Sequence, residues 1–147
     1  MNILEGIISG LAAGFLMGLL SHAGFTVGLF KSSLFIIDGT FVQQRLGQEY
    51  EARKALLSGI PVHLLTSVSF GHGYVMLIRF LNLDLLNGWL IAVYTFFLWF
   101  SMLFVALPVA GQGLFGKNLG SLTWLEQMVL HMVFGIGLWS VLYALHW

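Results

Sequence analysis

Twelve charged side chains are all that these 147 residues carry, and their placement constrains the fold more than any motif does. They stand at Glu5, Lys31, Asp38, Arg45, Glu49, Glu51, Arg53, Lys54, Arg79, Asp84, Lys117 and Glu126. Four of the intervals between or after them exceed the roughly 20 residues that a helix needs to cross about 30 Å of hydrocarbon. Lipid offers no partner for backbone N–H or C=O, so a crossing segment must satisfy its own hydrogen bonds as a helix. The intervals predict spans over residues 6–30, 55–78, 88–109 and 124–147. With 59% hydrophobic and 8% charged residues, against about 25% charged in soluble domains, the chain lacks the polar surface of a soluble fold. The expected fold class is therefore an all-α integral membrane protein. It is a four-transmembrane-helix bundle, one membrane domain over 1–147, with a short cytoplasmic helical connection between spans one and two.

Cysteine is absent, which removes disulfides, thiol nucleophiles and thiolate metal sites. Net charge is zero and no basic run occurs, so nucleic acid is not an expected partner. Ser21-His22-Ala23 loosely fits a signal-cleavage site, but no basic segment precedes it and Glu5 is acidic, so the first span is expected to be retained. Helical spans fit a bacterial inner membrane rather than an outer one, where spanning proteins are barrels. Lys31, Arg45, Arg53, Lys54 and Lys117 fall in the first and third connections, against Arg79 alone in the second. By the positive-inside rule, both termini then face away from the cytoplasm.

In the first connection, Arg45, Glu49 and Arg53 recur every four residues and predict a helix with alternating charges. Thr40 and Gln43 resemble a capping box that starts it, Asp38-Gly39 is the turn signal before it, and Pro61 bends its junction with span two. Ser33 to Ile37 is expected to finish the first helix or lie in the interface. Asn2-x-x-Glu5 and Thr123-x-x-Glu126 resemble capping boxes for spans one and four, which assigns both glutamates a structural role. Trp89, Trp124 and Trp147 suit an interfacial aromatic belt.

Gly6, Gly10, Gly14 and Gly18 repeat every four residues and form a ridge that lets another helix approach closely. Its partner is span two, span four or another protein, with packing inside the chain favoured. The histidines are the functional candidates, because an ionisable group within a span is costly. His22 lies eight residues before Phe30, His63 eight after Ala55 and His131 seven after Trp124. At about 1.5 Å per residue, all three fall about 10–12 Å inside the cytoplasmic boundary. A layer of neutral imidazoles suits a transition metal, a b-type haem or a related tetrapyrrole. Simple hydrogen bonding to a neighbouring helix accounts for it as well. His72 stands about 13 Å beyond His63 on roughly the opposite face, so those two cannot share an ion on a straight helix. His146 lies at the outer interface.

No span carries an acid beyond its capped end, which argues against proton-coupled transport and Ser-His-Asp catalysis. Gly111-Gln112-Gly113-Leu114-Phe115-Gly116 lacks the strand of a nucleotide fingerprint and suits a membrane-exit turn. Span three is aromatic enough to wall a quinone, pigment or lipid tail, although lipid exposure explains this more cheaply. The pattern points away from an enzyme. Its leading reading is an accessory or scaffold subunit of a larger, by analogy bioenergetic, membrane complex, with lipid, other subunits or further copies of itself as partners. The alternatives are a membrane electron-transfer or metal-binding protein using His22, His63 and His131, and a small transporter or oligomeric channel.

Overall fold

Small residues on one face and large apolar ones on the other shape the first helix, α1 (Ile3–Thr26). Gly6, Ser9, Gly10, Ala13, Gly14, Met17, Gly18 and Ser21 are buried, whereas Leu11, Phe15, Leu16 and Leu19 face outward. The computed structural model describes residues 3–147, so Asn2 and the capping box expected there lie outside the described residues. α1 stops short of residue 30 because Gly28 turns the chain at φ 78°, and the Leu29 and Phe30 amides bond back to the Gly24 carbonyl.

The first connection departs most from expectation. Its helix, α2 (Leu34–Arg45), starts before Thr40, and Asp38-Gly39 lies inside it. The Thr40 hydroxyl donates to the Ile36 carbonyl within that helix and caps nothing. Gly47 at φ 63° ends the segment, so the Arg45-Glu49-Arg53 stripe never forms one helical face. Tertiary contact overrides the turn signal at Gly39. α2 lies against α3 (Ala52–Phe80), and a Cβ at Gly39 would strike the Ala55 carbonyl, as one at Gly59 would strike that of Phe35. Glycine serves here to let two backbones touch.

After Asn87, whose side chain accepts from the Trp89 and Leu90 amides, α4 (Gly88–Ser101) runs through a π-helical turn at Met102–Ala106 into α5 (Leu107–Val109). Pro108 has no N–H to give to the preceding turn, and a π turn is one way a helix absorbs such a break. Gly111, Gly113 and Gly116, all at positive φ, turn the chain around a short 3-10 segment before α6 (Thr123–Leu145).

α1 packs between α3 and α6, α4 lies along α6, and α2 rests on α3. Met17, Tyr74, Leu103, Leu107, Leu130, Phe134 and Leu138 form the centre of the apolar core. Among the described residues the protein is all-helical. Three helical segments, Ile3–Thr26, Gly88–Val109 and Thr123–Leu145, are long and apolar enough to cross a membrane. By length and apolarity these are three of the expected four. α3 is long enough at 29 residues, but its inner face runs through Ala55, Gly59, His63, Ser67, Gly71 and Tyr74 before Val75 and Ile78, with Arg53, Lys54 and Arg79 near its ends. Those small and polar residues lower its mean hydropathy below that of α1, α4 and α6, and they turn toward the protein.

Candidate functional site

The glycine face of α1 is occupied within the chain. Gly6 and Gly10 lie against the α3 backbone at Gly71 and His72, where a Cβ on Gly6 would come 2.6 Å from the His72 Cα. Gly14 meets the Ser67 side chain, and Gly18 meets the Phe35 ring and His63. The ridge therefore joins α1 to α3 and offers no surface to a second protein.

Two of the three candidate histidines are committed to protein partners. His22 Nδ1 lies 3.1 Å from the Ser33 hydroxyl, and neighbouring Ser21 accepts the Leu34 amide at 2.9 Å. Together they fasten the start of α2, one of whose free amides Ser21 satisfies. His63 Nδ1 lies 3.0 Å from Asp38 Oδ2, and its Nε2 lies 3.1 Å from the Gly14 carbonyl. The Gly14 carbonyl can only accept, so Nε2 carries a proton and donates to it, while Nδ1 and the Asp38 carboxyl share the second bond. His63 thus ties α3 to α2 and α1 at once. The Phe35 ring stands beside both imidazoles, 6.2 Å from the His22 centroid and 5.3 Å from that of His63. Among the described residues, no three His, Asp or Glu side chains are grouped to hold a metal ion.

The third candidate differs. His131 Nδ1 is 2.8 Å from the Gln127 carbonyl. A carbonyl can only accept, so the proton sits on Nδ1 and the lone pair is left on Nε2. That bond is the ring's only hydrogen bond among the described residues. His131 is 7% exposed and borders a groove of about 570 Å³ between α4 and α6. Ile91, Thr95 and Trp99 form one wall, and His131, Gly135 and Trp139 the other. Trp99 donates to the Trp124 carbonyl and Trp139 to that of Leu86, each at 3.0 Å, so the two indoles bind the helices together on either side of the groove.

No known family model, curated protein or solved structure matches this chain. Its chemistry follows from its own geometry.

Glu126 does not cap as expected. The N-cap of α6 is Leu122, and the Thr123 hydroxyl donates to the Gly120 carbonyl. Glu126, 8% exposed, instead takes the Lys31 amide on its two oxygens at 3.0 and 3.1 Å, which fixes the first connection to α6. Glu5 pairs with Arg79 and lies 3.5 Å from His146 Nε2, so α1, α3 and the end of α6 meet at one carboxyl group. His146 therefore has a specific neighbour in Glu5.

Two features escaped the sequence reading. Gln127 is fully buried with neither amide atom paired, a costly state for a polar group. Phe70-Gly71-His72-Gly73 and Phe134-Gly135-Ile136-Gly137 repeat one pattern on the two helices that flank α1. In both, glycines mark close approaches: Gly71 to Gly10, Gly135 to Thr95 and Gly137 to Ala13. The repeated Phe-Gly-x-Gly was the available signal.

Proposed function

We propose that the chain is a non-catalytic accessory subunit of a larger membrane assembly, an integral protein of four spans in a bacterial inner membrane with both termini on the non-cytoplasmic side. The observation that carries this reading is the use of its interior polar groups. His22, His63, Asp38, Glu126, Glu5 and Arg79 each fasten one helix or connection to another. None of these pairs leaves a nucleophile facing a free base, which an acid–base or covalent mechanism requires.

The fourth span is α3. It lies along α1 from the Gly6–His72 contact to the Gly18–His63 contact, so a membrane that α1 crosses surrounds α3 as well. Leu57, Leu65, Met76 and Leu77 form an apolar outer side for it, and its small and polar face is shielded by α1 and α2. Intramembrane helix contacts commonly use such small residues. The positive charges of the first and third connections supply the orientation. With the glycine ridge covered, the outward apolar faces of α4 and α6 remain for lipid and partner helices.

Extraction of the full chain from its native membrane in a mild detergent tests the proposal. Light scattering corrected for bound detergent should give a protein mass several times that of one chain, with other membrane proteins present at fixed stoichiometry. A monodisperse single chain would contradict it.

A further inference from the structure

The groove between α4 and α6 is almost wholly apolar, and two polar side chains that border it, His131 and Thr95, each keep a free acceptor. His131 Nε2 carries a lone pair because Nδ1 gives its proton to Gln127. The Thr95 hydroxyl gives its own proton to the Ile91 carbonyl at 2.7 Å, which leaves Oγ1 as an acceptor too. The indole donors that border the groove are spent, since Trp99 and Trp139 bond to the Trp124 and Leu86 carbonyls. Among the described residues, no Lys, Arg, Asp or Glu lines it.

These facts narrow the ligand. A carboxylate-bearing tetrapyrrole would bring charge into a wall with no cation to meet it, at a large desolvation cost. A quinone offers only carbonyl acceptors, which would face the lone pairs on His131 and Thr95. A quinol offers hydroxyl donors. Its flat ring suits the faces of Phe96, Trp99 and Trp139, and its isoprenoid tail suits an apolar groove that opens toward the surrounding lipid. The volume of about 570 Å³ falls within the roughly 300–1,000 Å³ of small-molecule sites. His131 is more than nine-tenths buried, so its unpaired nitrogen lies where water competes poorly for the bond.

We propose that the α4–α6 groove is a binding site for a lipid-soluble quinol, held by a hydrogen bond from a quinol hydroxyl to His131 Nε2. The reduced form is selected because only it can donate. The site goes beyond the accessory-subunit reading and does not depend on it.

The test is equilibrium binding to the full chain in lipid nanodiscs, with protein-free nanodiscs as the baseline and air excluded. Three probes separate shape from donation: decylbenzoquinol, the corresponding quinone, and the di-O-methyl ether of the quinol. The quinol should bind at least tenfold more tightly than either of the others. His131→Leu should lower quinol affinity to the level of the ether and leave the ether unchanged. Ala92→Trp fills the groove from an exposed position on α4 and should abolish binding of all three. If His131→Leu fails to fold, the comparison of probes on the unaltered chain and the Ala92→Trp result still decide. Equal affinity for all three probes, a quinol preference that survives His131→Leu, or no binding at all would overturn the proposal; the last result would leave the groove to lipid chains.

Discussion

Gly71→Leu yields no folded protein. At this position α1 and α3 meet backbone to backbone, and an added Cβ would lie 2.5 Å from the Gly6 carbonyl oxygen and 2.6 Å from the Gly10 amide nitrogen. Flexible side chains can yield to an intruding methyl group, but two helix backbones can do so only by separating. Separation also pulls His63 from the Gly14 carbonyl and Arg79 from Glu5, which lie on either side of the contact. The expected loss exceeds about 4 kcal/mol, the range reserved for disruptions of this kind. Size-exclusion chromatography in detergent should show aggregate in place of a monodisperse peak. Gly73→Ala is the control, because a Cβ there meets only the Tyr94 hydroxyl at 3.4 Å, an ordinary contact. That variant should behave as the parent does.

His63→Ala should cost about 3 kcal/mol in a reversible mixed-micelle unfolding titration. The side chains of His63 and Asp38 are 8% and 28% exposed, and removing one partner strands the other. Breaking a buried pair costs about 3–5 kcal/mol, and the partial exposure of Asp38 places this case at the low end. The double substitution His63→Leu with Asp38→Leu should recover to within about 1 kcal/mol of the parent, since an apolar pair of similar volume removes both desolvation costs. A single alanine variant as stable as the parent would show that the tie between α2, α3 and α1 contributes nothing.

The positions of the long apolar helices were legible because a charge in hydrocarbon is costly enough to leave a trace in composition. The charge-free intervals locate α1, the α4–α5 rod and α6 to within a few residues. α2 was not legible in the same way. Its extent depends on Gly39 and Gly59 letting its backbone lie against α3, a relation between residues 20 apart that local turn rules misassign. Asp38 was hidden for the same reason: assigned to a turn, it had no expected partner, whereas within α2 it faces His63.

The glycine repeat showed that a close helix contact exists without showing its partner. The face opposite it on α3, Ala55, Gly59, His63, Ser67 and Gly71, also recurs every four residues, and that second repeat was the available signal for the partner. Depth along the helices placed His22, His63 and His131 at one level, but depth does not determine which way a ring turns. Phe35 beside the first two and the Gln127 carbonyl below the third give each imidazole a different role.

The central claim is that α3 crosses the membrane together with the three more apolar segments. Because the chain has no cysteine, single cysteines report cleanly on topology. One belongs at Gln48, between α2 and α3, and one at Leu83, between α3 and α4; both positions are exposed. With a membrane-impermeant maleimide, the account predicts that Cys at 83 is labelled in intact cells and Cys at 48 only in inverted vesicles, whereas labelling of both from the same side would contradict it.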